Sequence, residues 1–282
     1  MCIRDRLDIG SAATSMGGAY VSVANDVSSA YWNPAGLAYI NSKQTMFMYQ
    51  PWIVGINNIY AGVAINYPLY GTLALTMNYM DYGDEAVTTV SSPEGTGEFY
   101  SASEFAASVS YGRRIVNWFS FGASAKYISS NIWHMSANAI AFDLGVLVTT
   151  DFFSPTGKRN QGMKIGMSIS NYGTRLRYDG MDLLVPIDPN PNEYGNFDDV
   201  EGLYNTSEWE LPLIFRLGFS VQPIYTNNLR LLVAADALHP NNNNESINIG
   251  TQLTYLQPGK LNLYLRGGYK GLFLKDSEYG LT

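Results

Sequence analysis

An all-β fold, an antiparallel β-barrel crossing a membrane, is predicted for this chain by three observations. Apolar residues recur at every second position, charge is scarce, and the connections between alternating segments are long on one side and tight on the other. The alternation is clearest over 119–127, where Phe119, Phe121, Ala123, Ala125 and Tyr127 are apolar or aromatic and Ser120, Gly122, Ser124 and Lys126 are small or polar. It returns at Leu73/Leu75/Met77/Tyr79, Phe105/Ala107/Val109/Tyr111, Met163/Ile165/Met167/Ile169, Leu213/Phe215/Leu217/Phe219/Val221 and Ile247/Ile249/Leu253/Tyr255. Side chains on a strand alternate faces, so these segments place one face in an apolar medium and the other in a different one.

Charged residues make up 15% of the 282, against roughly 25% in soluble chains, while aromatics reach 13% with 21 tyrosines. Mean hydropathy is close to zero, and no run approaches the roughly 18 apolar residues of a membrane-spanning helix. A spanning strand needs only about 9–11 residues and turns its polar half to the lumen, so a near-zero average suits a barrel. A soluble β-sandwich also alternates, but its wet face would carry Lys, Glu, Arg and Thr. Here that face holds Ser120, Gly122 and Ser124, or Gly166, Ser168 and Ser170. Small residues suit a crowded or plugged interior, which favours the barrel.

Strands are expected at approximately 43–50, 56–68, 71–81, 101–112, 116–129, 134–149, 162–173, 210–222, 228–238, 245–255, 261–272 and from 278 onward. Long connections run from Tyr82 to Phe99 and from Gly173 to Leu211. Tight ones lie near Leu69-Tyr70-Gly71, Arg114-Ile115, Pro223–Asn227 and Gln257–Lys260. This parity matches the long outer loops and short periplasmic turns of outer-membrane barrels. Acidic residues gather in Asp81–Glu98 and Asp182–Glu210, where the chain meets water. Tyr111, Trp118, Tyr127, Trp133, Tyr255 and Tyr269 sit near strand ends, as in an interfacial belt, although Tyr and Trp are also good strand formers anywhere.

Residues 1–7 read as a non-native start, since Met1-Cys2-Ile3-Arg4-Asp5-Arg6 has neither a relation to the later residues nor the apolar stretch of a signal peptide. Without Cys2 the chain has no cysteine, which does not conflict with an oxidising compartment. Residues 8–42 are rich in Gly and Ala, unlike any later strand, and could fill a lumen without blocking it rigidly; Asn33-Pro34 initiates a turn before the first strand. Residues 43–282 form the barrel.

Met16-Gly17-Gly18-Ala19-Tyr20-Val21, Asn25-Asp26 and Tyr31-Trp32-Asn33-Pro34-Ala35-Gly36-Leu37 resemble the opening of the PorV/PorQ family, which belongs with the FadL-like outer-membrane barrels. Further matches are Gly95-Thr96-Gly97, Tyr111-Gly112-Arg113-Arg114, Ala141-Phe142-Asp143-Leu144-Gly145 and Ser170-Asn171-Tyr172-Gly173-Thr174. The resemblance implies a Gram-negative outer-membrane barrel of about fourteen strands with an N-terminal hatch folded inside. About twelve strands are counted here, so the sequence reads as truncated at both ends. A wall lacking its closing strands exposes edges that a bilayer does not tolerate, and the fragment is not expected to be competent by itself.

Extending the alternation turns Lys126, Asp143, Lys164, Arg216, Asp236 and Arg266 inward. The lipid face would cost Arg or Lys about 2–4 kcal/mol near the midplane. These charges pair with hatch residues such as Asp26, guide a polar group of a ligand, or form salt bridges that hold the barrel together; the last reading is favoured, because intramembrane ions usually pair.

Enzymatic signals are poor. His134 and His239 have no Cys or His partner at ligand spacing, which gives a metal site little support. No nucleophile elbow is present, and Gly17-Gly18 lacks the lysine and spacing of a phosphate loop. No catalysis and no cofactor are expected, and a net charge of −7 argues against nucleic acid. The resemblance implies an accessory or cargo-carrier component of type IX secretion, with secreted cargo or other secretion components as partners besides outer-membrane lipid. In the 173–211 loop, Leu183, Leu184, Val185, Pro186 and Ile187 are candidate contacts, or equally a cover folded over the barrel mouth. The FadL-like relationship implies a second reading, passage of a hydrophobic small molecule gated at Asn33-Pro34-Ala35-Gly36. A purely structural envelope role is the third.

Overall fold

The computed structural model describes residues 7–189, 192, 200–257 and 262–274. The wall is built from β1 (Gln44–Pro51), β2 (Asn57–Tyr67), β3 (Gly71–Ala86), β4 (Phe99–Val116), β5 (Phe119–Ile132), β6 (Met135–Thr149) and β7 (Lys164–Gly173). After an excursion carrying β8 (Asp179–Gly180), β9 (Leu184–Ile187) and β10 (Val200–Leu203), it continues with β11 (Ile214–Tyr225), β12 (Leu229–Pro240), β13 (Ser246–Leu256) and β14 (Asn262–Leu272). Neighbours pair antiparallel in the order β1 to β7, then β11 to β14, with β8 added beside β6, while β9 and β10 form a separate hairpin. The strand expected from 278 onward lies outside the described residues.

The side-chain period of two predicts the observed burial. Ser120, Gly122 and Ser124 are buried, while Tyr127, Leu73, Leu75, Ile140, Phe142, Leu144, Met167 and Ile169 are exposed on the outer face. Such an apolar band belongs in lipid. Tyr111, Trp118 and Tyr255 stand toward the short-turn rim and Trp133 and Tyr269 toward the other, all exposed.

The loop parity needs one correction. The connection 150–163 falls on the short-turn side yet is long, whereas residues 133–134 join β5 to β6 on the long-loop side in a tight turn. Strand β3 also runs further than the 71–81 its alternation suggested, so that Asp84 and Glu85 belong to the wall. A bulge between Asp81 and Asp84 breaks its pairing there, which hid the extension.

Residues 8–40 lie within the curve of the sheet and touch it from one edge to the other. Gly10 N donates to Met48 Sδ on β1 at 3.3 Å, and Lys270 Nζ on β14 meets Asp8 Oδ2 at 2.8 Å. Between these edges, Val27 lies against Gly62 of β2, Leu37 against Gly112 of β4, Val21 against Gly166 of β7 and Met16 against Gly250 of β13. One short segment can meet both edges of so wide a sheet only if the sheet curls around it. The core is accordingly the lumen itself: Ala13, Met16, Ala19, Tyr20 and Trp32 cluster with Ala234, and Val27, Leu37 and Ile40 with Ala64 and Ala74.

Candidate functional site

The N-terminal plug is a backbone-to-backbone fit. At one level of the wall, one inward position on most strands is glycine: Gly62, Gly112, Gly122, Gly145, Gly166, Gly218, Gly250 and Gly268. Gly112, Gly122 and Gly145 stand side by side in register, as do Gly166 and Gly218, and Gly250 and Gly268. A Cβ on Gly112 would lie 2.7 Å from Leu37 Cβ and from Pro34 O, one on Gly166 2.6 Å from Val21 O, and one on Gly250 2.5 Å from Met16 O. Each is closer than any side-chain carbon can sit. The missing Cβ atoms let the plug's main chain reach the wall.

Within the plug, the Met16-Gly17-Gly18 motif has a local reason. Gly17 has φ +63°, and its absent Cβ would stand 2.8 Å from Tyr269 N, so both conformation and space demand glycine there. Asn33 is fully buried and fully used: Nδ2 donates to Val21 O at 3.0 Å and to Val146 O at 3.1 Å, and Oδ1 accepts from Ala35 N at 3.1 Å. That last bond caps the short 3-10 helix Pro34–Tyr39, with Pro34 at its first position. Trp32 Nε1 donates to Ile9 O at 2.8 Å, and Ser168 Oγ of β7 donates to Trp32 O at 3.0 Å.

These contacts revise the expectation of a loose filling. Although Gly and Ala dominate the composition, Trp32, Tyr20, Met16 and Leu37 are buried, Asn33, Pro34 and Ala35 are wedged against β4 to β6, and Gly36 packs on Ala24 and Ser29 of the plug itself. Asn25 is exposed and Asp26 partly so. Asp26 Oδ1 accepts from Ser28 N at 2.9 Å and Ser28 Oγ at 2.5 Å, so it closes a local turn rather than pairing with a lumen cation among the described residues. Burial, with Asp26 nearby, pushes the Tyr20 phenol far above its ordinary range and keeps it a neutral donor to Asp26 Oδ2.

The wall residue that holds the plug is Asp236. Fully buried on β12, its Oδ2 accepts Tyr20 N at 2.6 Å and Val21 N at 2.8 Å. Two consecutive amides on one carboxylate oxygen make a charge-assisted clamp between the plug and β12, 216 and 215 residues apart in the chain.

Asp143 and Lys126 form a second buried centre, with Nζ 2.6 Å from Oδ2. It depends on a bulge: Phe142 pairs with Tyr172 and Leu144 with Ile169, so Ser170 and Asn171 together face Asp143. Asn171 takes φ +65°, which Asn tolerates better than most residues. That turns its N–H to Asp143 Oδ1 at 2.8 Å, its Oδ1 to Lys126 Nζ at 3.0 Å and its Nδ2 to Pro212 O at 3.1 Å. Arg216 donates from Nη1 to Ser170 Oγ at 2.9 Å and lies over Tyr31 and Trp32 at 5.7 and 5.6 Å. Lys164, at the short-turn end of β7, and Arg266, midway along β14, stand apart from this group.

The long excursion is braced on the opposite rim. Leu176 and Leu211 are buried beside Ile128, Ala137, Ala139 and Ala141, and Leu176 and Trp209 exchange backbone hydrogen bonds at 2.9 and 3.0 Å. Asp182 accepts from His134 N at 3.2 Å, and its Oδ1 lies 2.9 Å from His134 Nδ1. On this platform Leu184, Pro186 and Ile187 are exposed, while Leu183 and Val185 are half-buried.

A family model for the type IX secretion system protein PorV matches residues 7–208. The chain belongs to the PorV family. Two structures of the toluene transporter TodX of Pseudomonas putida, 11% identical to this PorV-family chain, align with TM-scores of 0.53 and 0.54. The first alignment covers 94% of this chain and 84% of TodX, the second 92% and 82%. At that identity the likeness is one of fold alone. Among curated proteins none matches in sequence. The PorV-family chain is thus an outer-membrane β-barrel.

Sequence reasoning placed Asp236 and Asp143 inward but missed what they hold. The glycine level, Asn171 and the Asp8–Lys270 pair were also missed. A signal for the first existed, since glycine recurs once on most strands at an inward position. Replacing Arg216 with Met in this PorV-family barrel is expected to lower stability by about 1–2 kcal/mol through loss of a buried charged donor, with function retained. Thermal unfolding in detergent, beside a secretion assay, measures both.

Proposed function

We propose that this PorV-family barrel is an accessory or carrier component of type IX secretion that receives secreted cargo on its long-loop rim. The observation that carries the reading is the braced excursion, which presents Met181, Leu184, Ile187, Leu203 and Tyr204 to solvent. Clustered apolar side chains on a fixed platform suit a protein partner better than a loop that only covers the mouth. Leu176 and Leu211, packed on Ile128, Ala137, Ala139 and Ala141, fix that platform to the wall.

Passage of a hydrophobic small molecule has less behind it. The cavity on the long-loop side, lined by Tyr31, Trp32, Ile214, Leu238 and Pro240, encloses about 100 Å³. Ligand pockets for drug-sized molecules are roughly 300–1,000 Å³. The Asn33–Gly36 stretch suggested as a gate is the most tightly wedged part of the plug.

Leu184→Asp with Ile187→Asp is expected to cut release of cargo into the medium about tenfold or more, the loss of one interface anchor, with barrel abundance in the outer membrane unchanged. Unimpaired secretion by this variant, together with plug-dependent uptake of a labelled fatty acid, would overturn the carrier reading in favour of the channel.

A further inference from the structure

We propose that the lumen on the short-turn side of the plug contains an anion-binding site, formed by Lys164, Arg230 and Arg266, that takes a phosphate or carboxylate group. The three cations come from β7, β12 and β14 and line one cavity of about 330 Å³, closed on the plug side by Tyr20 and Asp26. That is room for about ten waters at roughly 30 Å³ each, or for one anionic group with part of its hydration.

Charge balance distinguishes this cavity from the rest of the lumen. Elsewhere Lys126 meets Asp143 at 2.6 Å and Lys270 meets Asp8 at 2.8 Å, while Arg216, which makes no ion pair among the described residues, spends a donor on Ser170 and lies within electrostatic reach of buried Asp236. Among the described residues no carboxylate lies within ion-pair distance of Lys164, Arg230 or Arg266. The lining contains one acid, Asp26, whose oxygens are engaged by Ser28 and Tyr20.

The cations are nevertheless held in place. Arg230 lies 4.4 Å over Tyr225, Arg266 5.0 Å over Tyr264 and Lys164 5.1 Å from the Tyr39 ring centre. Ring faces position a cation without neutralising it. Arg266 Nε donates to Gln252 Oε1 at 2.7 Å, whereas Arg230 Nε is buried with no hydrogen-bond partner among the described residues. Two guanidinium groups and an amine lining one cavity in a chain of net charge −7, with donor capacity left over on Arg230, form a site whose missing element is an anion.

The test uses the whole barrel folded in an uncharged detergent, with thermal unfolding and titration calorimetry as readouts. Inorganic phosphate and a short-chain phosphatidic acid are the two probes. Wild type is expected to bind at least one of them saturably and to melt at a higher temperature in its presence. Arg230→Gln with Arg266→Gln is expected to weaken that binding about tenfold or more. Heat-modifiable gel migration confirms that the variant is folded, and with less like-charge repulsion it should melt no lower than wild type in probe-free buffer. Binding of phosphate alone identifies a free anion as occupant, and binding of the lipid alone a headgroup. No saturable binding of either probe, or equal binding by the variant, overturns the proposal.

Discussion

Asp236→Ala is expected to free the N-terminal plug while leaving the wall assembled. The substitution removes two charge-assisted bonds of roughly 1.5–3 kcal/mol each and leaves the buried amides of Tyr20 and Val21 without acceptors. Relief from burying a carboxylate offsets part of this, and a net loss of about 3 kcal/mol is expected. The readout is limited proteolysis within residues 8–40 of the detergent-folded barrel, together with its melting temperature. Asp236→Asn keeps an acceptor oxygen in the same place and should lose less. Full protease protection of the plug in the alanine variant would show that the glycine-level contacts suffice to retain it.

Gly122→Val should have an effect of similar size through sterics alone. A Cβ at Gly122 would overlap the Pro34 carbonyl and Ala35 N, which are main-chain atoms and cannot turn aside as a flexible side chain can. Overpacking commonly costs about 1–3 kcal/mol, and a clash with backbone belongs at or above the top of that range. The control is Ala123→Val, one residue along on the outer face, where added apolar volume meets lipid. Equal melting temperatures for the two variants would refute the wedge.

The wall was legible in the sequence because each strand sees two media, and a period of two survives in a single chain without any partner. Phe119–Tyr127 carries the signal within a single strand. The plug was not legible in the same way: Asp236 meets Tyr20 and Val21 through contacts that leave no local period. Counting small residues suggested a loose filling, when their smallness serves close contact instead. The bulge that aims Asn171 at Asp143 was hidden too, since a register shift is a property of two strands and neither states it alone. The hairpin of β9 and β10 lies in a loop whose alternation is too short to stand out from its polar surroundings.

The level of glycines around the lumen also acts as a check on how the wall is threaded. Slipping a strand by one residue exchanges its two faces. For β5 such a slip would bring Phe121 or Ala123 to the place where Gly122 now receives Pro34, and for β4 it would bring Tyr111 or Arg113 to that of Gly112. Neither neighbour leaves space for the plug's main chain, and the mismatch recurs wherever a strand contributes a glycine. The plug is therefore a gauge: only a wall paired in the right register can close on it, and the segment made first verifies the strands made after it.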